Sequence, residues 1–363
     1  MSPLFRTAAI ALLACGSAAA DPLEGVTVPA GFRISVLTDE VPDARGLAFG
    51  QNHLFVGSRG ADKVYAVDWP PGADGRAKAR VVLDDLTNPH GVAFRDGALY
   101  VGERTRIARY DAIETSLDAP PRPAVVLGNL PDIPHHGMRT IHFGPDGLLY
   151  LSVGVPCNVC ARKDPFGQIL RLDAKAASPR PEIYATGIRN SVGFDWDANG
   201  EMWFTDNGRD LLGDDIPDDE LNHAPKAGMD FGFPYCHNGT IPDGEFGKER
   251  PCKDFVAPAY GLGAHVAALG IAVYDGKAFP EEYEGALFIA EHGSWNRSSK
   301  VGYRVTVAKV KGGKVQKPEV FASGWLKGQS VDGRPVDVVV APDGSLVVSD
   351  DKAGAIYRIE YKK

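Results

Sequence analysis

A hairpin-like motif recurs six times along this chain, and no other feature limits its possible folds so severely. Each copy is a short apolar run, a polar turn and a second apolar run. The first copies are "GLAFGQNHLFVGS" from Gly46, "GVAFRDGALYVGE" from Gly91 and "RTIHFGPDGLLYLSV" from Arg139. "SVGFDWDANGEMWFTD" from Ser191, a degenerate copy from Gly270 and "DVVVAPDGSLVVSD" from Asp337 complete the set. Phe55, Tyr100, Tyr150, Trp203, Phe288 and Val347 hold equivalent second-strand places, at intervals of 45, 50, 53, 85 and 59 residues. Such intervals suit four-stranded propeller blades. Third-strand candidates such as "KVYAVDW", "RIARYDA" and "QILRLDA" follow several copies. The spacing therefore predicts an all-β, six-bladed β-propeller of four-stranded antiparallel blades. The segment "FRISVLTDE" is expected to complete the last blade, because ring closure removes a free edge. Two β-sandwiches would not share one hairpin six times. No Gly-, Ser- or Pro-rich linker divides the chain, so residues 21–363 read as one domain.

Residues 1–20 read as a signal peptide. Arg6 precedes the apolar "AAIALLACGSAAA", which ends in small residues at Ala20. Export to the periplasm or beyond is expected, with simple cleavage favoured over lipid anchoring at Cys15. The remaining cysteines are Cys157, Cys160, Cys236 and Cys252. In an oxidising compartment, local closure favours Cys157–Cys160 and Cys236–Cys252. A four-thiolate zinc site is the weaker alternative, since only the first pair has ligand spacing. A net charge of −8 argues against a nucleic-acid partner. No apolar run in the body of the chain is long enough for a transmembrane span.

The interval of 85 residues carries "NGRDLLGDDIPDDELNHAPKAGMDFGFPYCHNG", read here as one long loop leaving the second strand of blade four. Long insertions in compact domains are usually functional. Its Asp206, Asp210, Asp214, Asp215, Asp218, Asp219 and Glu220, mixed with Gly and Asn, suit calcium, a hard cation with many oxygen ligands. A solvated acidic loop has the same composition. "GIRNSVGF" sets Arg189 and Asn190 at a strand lip, where the pair can clamp an anion or a quinone oxygen. A surface salt bridge is the plainer role of such an arginine. His135 and His136 lie in the loop before blade three, which can share that face. Imidazole is the usual base near neutral pH, and a hydrogen-bonding brace is its alternative role. His53 and His90 belong with blade hairpins, and His265 approaches blade five where it can line the channel. No nucleophile elbow, P-loop or dinucleotide fingerprint is present.

Taken in order, "HHGMRTIHFGPDGLLYLSVG", "ATGIRNSVGFDWD", "FTDNGRD", "DDELN", "PKAGMDFGFPYC" and "GRPVDVVVAPDGSLVVSDD" resemble the soluble sugar dehydrogenases that use pyrroloquinoline quinone (PQQ). The resemblance is nearest to the L-sorbosone and pyranose dehydrogenase branch and spans nearly all of the chain after the signal. It implies a six-bladed propeller with PQQ in the channel mouth and calcium on the quinone oxygens. By position, His136 matches the family's general base, and Arg189 and Asn190 match the pair beside the quinone. Gly208 and Arg209 match the carbonyls that bind the cofactor's calcium. Asn207, Asp219 and Glu220 match a neighbouring calcium-binding loop, and Arg334 matches a contact to cofactor carboxylates. The implied reaction oxidises a sugar or sugar-derived aldehyde, such as an aldose or sorbosone, by hydride transfer to PQQ. Arg189 then stabilises the developing charge, and an external electron acceptor, a cytochrome or a quinone, reoxidises the cofactor. The chain departs from the family pattern in four places. Val192 replaces a glutamine, "DLLGDDIP" lengthens the loop before Asp219, and His135 stands where an acid is common. A quinone-contacting lysine has no clean equivalent, so Arg297, Lys300 or His292 is the candidate replacement. Two other readings fit a propeller: a calcium-dependent lactonase or esterase, and a non-catalytic binding module.

Overall fold

The computed structural model describes residues 21–362. The signal peptide expected over residues 1–20, with Cys15, lies outside them. Six four-stranded antiparallel blades follow one another around a ring, and no α-helix occurs among the described residues. Blade one is built from Ala44–Phe49, His53–Ser58, Val64–Asp68 and Ala79–Leu83. Blade six uses Pro335–Val340, Leu346–Asp350 and Ala355–Tyr361, and takes its outer strand, Phe32–Thr38, from the start of the domain. Phe32 pairs with Tyr361 and Val36 with Tyr357, so the ring is closed by the strand the sequence assigns to it.

Second strands are buried along nearly their whole length, as in Ala98–Glu103, Leu149–Val153 and Leu346–Asp350. Blades stack face to face, so both sides of these strands meet a neighbour, and apolar side chains occupy both. Two residues beyond each equivalent aromatic or aliphatic position lies a small residue: Gly57, Gly102, Ser152, Thr205, Ala290 and Ser349. Several of these meet the chain entering the next blade. The Thr205 hydroxyl donates to the Leu269 carbonyl at 2.5 Å and the Ser349 hydroxyl to the Arg45 carbonyl at 2.7 Å. A Cβ on Gly102 would stand 2.5 Å from the Arg139 carbonyl oxygen.

The long interval is not one loop. The connection 207–217 leaves the second strand of blade four, and Asp218–Ala224 then forms that blade's third strand. Asp218, Asp219 and Glu220 are therefore held in a ladder, Glu220 opposite Asp206, rather than in a flexible acidic segment. The true excursion follows, over 225–259. It climbs the outer edge of blade three, where Met229–Asp230 pairs in parallel with Glu182–Thr186. It then forms the small hairpin of Cys236–His237 and Ile241–Pro242. Arg162 holds the excursion through a two-pronged pair with Asp230, at 2.6 and 2.7 Å. Both expected disulfides are formed, Cys157–Cys160 and Cys236–Cys252, which leaves no free thiolate for zinc among the described residues.

Candidate active site

Loops from several blades meet at one mouth of the ring around a cavity of about 390 Å³, a size suited to a small molecule. Of the residues singled out in the sequence, His136, Arg189, Asn190, Asn207, Gly208, Asp219, His265 and Arg334 line it, as do His135 and His292. Arg209 and Glu220 lie behind this wall, around a small adjoining void. Arg297 is not brought in. It reaches away to the carbonyl of Asp214 and to the Asp215 carboxylate. Lys300 also points elsewhere, donating to the Gln329 carbonyl at 2.7 Å.

His136 adopts a left-handed backbone, φ 49°, which a non-glycine residue holds only when its surroundings require it. Its Nδ1 lies 2.8 Å from the Val155 carbonyl oxygen. That carbonyl can only accept, so Nδ1 carries the proton and Nε2 keeps its lone pair. Burial, then the nearby Arg189 and His135, lower the imidazole pKa to about 2. His136 is therefore neutral, and able to accept a proton, at any ordinary pH. The Val155 N–H donates to the Arg189 carbonyl at 2.9 Å, so one residue, Val155, ties the base to the arginine through its N–H and its carbonyl.

Asp206 turns the Arg189–Asn190 dipeptide into place by accepting both N–H groups, at 2.8 and 2.6 Å. Asp219 likewise fixes two strand-flanking loop residues, accepting from the Gly208 N–H at 2.8 Å and the Ala267 N–H at 2.6 Å. Glu220 accepts from the Asn238 N–H at 2.8 Å and from the Asn222 amide at 3.1 Å. Burial pushes these three acids up to about 6, 7 and 8 respectively. His265 spends its Nε2 on the Gly213 carbonyl at 2.8 Å and so anchors the 207–217 connection.

The opposite wall holds a network that the sequence reading missed. Asp351 binds Arg45 at 2.7 Å, Arg334 at 2.9 Å and His292 at 3.1 Å. Arg45 also donates from Nε to His90 Nδ1 at 3.3 Å, where burial holds that imidazole well below the usual range. Arg59, exposed at the rim, forms no ion pair among the described residues. A signal was present: Arg45 at the start of the first strand of blade one, and His90 and Arg139 just before the first strands of blades two and three, are all buried.

These residues fit a polyanionic cofactor and a hard cation. Four arginines, Arg45, Arg59, Arg189 and Arg334, face one cavity. The Gly208 and Arg209 carbonyls accept no backbone hydrogen bond within the described residues. Both adjoin a void of about 10 Å³ that Asp206, Asp218 and Glu220 also line, the volume of a single ion or water. Asn222, whose amide donates to Glu220, has its own amide oxygen fully buried without a donor. Among the described residues, the group of ligand side chains close enough to share a metal, Asp197, Glu201 and His223, lies within blade four, whereas the lactonase reading needs ligands from several blades.

Comparison with known proteins agrees with this architecture. Residues 102–358 match the family model for glucose/sorbosone dehydrogenase. An uncharacterised protein of Borreliella burgdorferi is 34% identical over 353 residues, covering 93% of this chain and 91% of that protein. Among solved structures, the holo form of the pyranose dehydrogenase PQQ domain from Coprinopsis cinerea superposes with a TM-score of 0.77 at 20% identity, covering 92% of this chain and 97% of that one. The apo soluble aldose sugar dehydrogenase from Escherichia coli gives 0.68 at 20% identity, over 91% and 99%. At these identities the two structures speak to the fold. The propeller with its cation-lined mouth is thus an oxidoreductase scaffold of the sugar dehydrogenase class. The chain belongs to the glucose/sorbosone dehydrogenase family.

Proposed function

We propose that this protein is a PQQ- and calcium-dependent dehydrogenase of an aldose, sorbosone or a similar sugar-derived aldehyde. The observation that carries the reading is the placement of His136. Its Nδ1 is committed to Val155 while Arg189, Asn190 and Gly208 share its cavity. Bound PQQ would supply the electrophilic carbonyl that takes up the substrate's hydride, with calcium beside it as a Lewis acid. Gly208 and Arg209 would hold that calcium through their carbonyls, and Asp206, Asp218 and Glu220 suit a second ion in the adjoining void.

His136 Nε2 takes the proton from the substrate hydroxyl as its carbon gives up hydride. Arg189 presents its remaining N–H to the oxygen on which charge develops. Arg334 and Arg59 would bind carboxylates of the cofactor, while Asp351 bridges Arg45 and Arg334 and orients both. Trp295, 77% exposed at the mouth, offers a flat apolar face to a sugar ring. An external acceptor, a cytochrome or a quinone, then takes the electrons. Export through the 1–20 segment would place this chemistry in the periplasm or outside the cell. Among the described residues no helix is long and apolar enough to cross a membrane.

His136→Ala tests the assignment. Turnover should fall by at least about a hundredfold, while PQQ titrated in the presence of calcium still binds with near-parental affinity by absorbance. Near-normal turnover in that variant would remove His136 from the mechanism.

A further inference from the structure

We propose that Asn158, carried on the loop closed by Cys157–Cys160, is the positioning residue that fixes how Arg189 meets the cavity. The functional consequence rests on the quinone-site reading above; the geometry does not. Asn158 makes four hydrogen bonds to one ion pair. Its backbone carbonyl accepts from Arg189 Nε at 2.9 Å, and its Oδ1 accepts from Arg189 Nη2 at 3.0 Å. The same Oδ1 accepts from the Asp210 N–H at 2.8 Å, and its Nδ2 donates to the Asp210 carbonyl at 3.1 Å. Asp210 completes the unit by accepting from Arg189 Nη2 at 2.8 Å.

Arg189 Nη1 donates to the Asn207 carbonyl at 3.2 Å. A guanidinium has five N–H groups, so one hydrogen on Nη1 is left for a ligand. The clamp therefore selects which edge of Arg189 is offered. An asparagine on an open loop would lose side-chain and backbone freedom each time it formed these bonds. Here the disulfide joins residues only three apart in sequence, and the Val155 N–H bond to the Arg189 carbonyl pins the loop's start. The loop is thus ordered before any ligand arrives, which lowers the cost of binding. The motif "CNVC" acquires a role that a purely stabilising crosslink would not require.

Three variants of the chain test this: Asn158→Ala, the double variant Cys157→Ser/Cys160→Ser, and their combination. Hydrogen exchange of the cofactor-free protein reads the clamp directly. Exchange of the Asp210 amide should quicken at least about tenfold in all three, with blades one, two and six unchanged, because its acceptor is lost or released. Asn158→Asp keeps that acceptor but loses the Nδ2 donor to the Asp210 carbonyl, and should restore the protection in part. PQQ titration with calcium reads the consequence: the dissociation constant should rise by about tenfold to a hundredfold in Asn158→Ala. The combined variant should bind no worse than Asn158→Ala alone, since the disulfide acts through Asn158. Unchanged Asp210 exchange, a dissociation constant within about twofold of the parent, or additive losses in the combined variant would each overturn the proposal. A parent chain that binds no PQQ while Asp210 exchange responds as described would overturn the cofactor reading and leave the clamp standing.

Discussion

Gly154 shows how little room the site leaves. It follows the second strand of blade three, and a Cβ there would stand 2.7 Å from the His136 Cβ and 3.0 Å from Asn190 Oδ1. Gly154→Ala should therefore push the base and the amide apart. A misplacement near 1 Å costs roughly a hundredfold in rate, so turnover should drop on that order in a steady-state assay, measured at a temperature where the variant is still folded. His136, Arg189 and Asn190 were legible in the sequence because each sits in a local motif beside a recognisable strand. The Arg45–Asp351 pair was not, because its members lie at opposite ends of the chain and meet only when the ring closes. Arg297, a candidate for the missing lysine, does not line the cavity, for the opposite reason. It is near the site in sequence, but Asp214 and Asp215 draw its guanidinium to the rim.

Individual strands are held to their neighbours by a register of small residues, and that register predicts stability. Gly102→Val would place its Cβ 2.5 Å from the Arg139 carbonyl and 3.2 Å from Ile141 Cγ2. Overpacking of this kind costs about 1–3 kcal/mol, read as a lower denaturation midpoint with an unchanged slope. Carboxylates form further ties between blades. Asp195 of blade four accepts from the Val273 N–H of blade five at 2.8 Å, and Asp337 of blade six from the Leu47 N–H of blade one at 2.9 Å. Burial raises both to about 7. An unfolded aspartate loses its proton near pH 3.9, so between there and pH 7 the folded chain binds more protons. These two groups therefore contribute stability that is full at low pH and lost as pH rises through 7. The variant Asp195→Asn/Asp337→Asn should show a less negative slope of melting midpoint against pH between 5 and 8 than the parent. An unaltered slope would mean that the two carboxylates titrate alike folded and unfolded. The strand Asp218–Ala224 escaped the sequence reading for a physical reason. Its "DDELNHA" lacks the β-branched and aromatic residues that mark strands, and hydrogen bonds rather than apolar contacts hold Asp219, Glu220 and Asn222 in the interior.

At the scale of the whole molecule, the ring makes the site. Blade three supplies His136 on the loop leading into it, and blade four supplies Arg189 to Gly208 on its inner connections. Blades five and six supply His292 and Arg334, and blade one supplies Arg45 and Arg59. None of these clusters is adjacent in sequence to all the others, so the cavity exists only when Phe32–Thr38 pairs with Ala355–Tyr361. The repeat made that closure readable in advance, whereas the excursion 225–259 was not readable, because it repeats nothing and takes its path from Arg162, Asp230 and the Cys236–Cys252 bridge. The central claim is that this mouth oxidises sugars with a bound quinone, and reconstitution tests it most directly. Residues 21–363, purified free of cofactor, are supplied with PQQ and calcium, and dye reduction is followed across aldoses and sorbosone. The account predicts turnover that requires both additions and disappears when calcium is chelated before loading. A folded protein that binds no PQQ, or that turns over sugars equally well without it, would contradict the account.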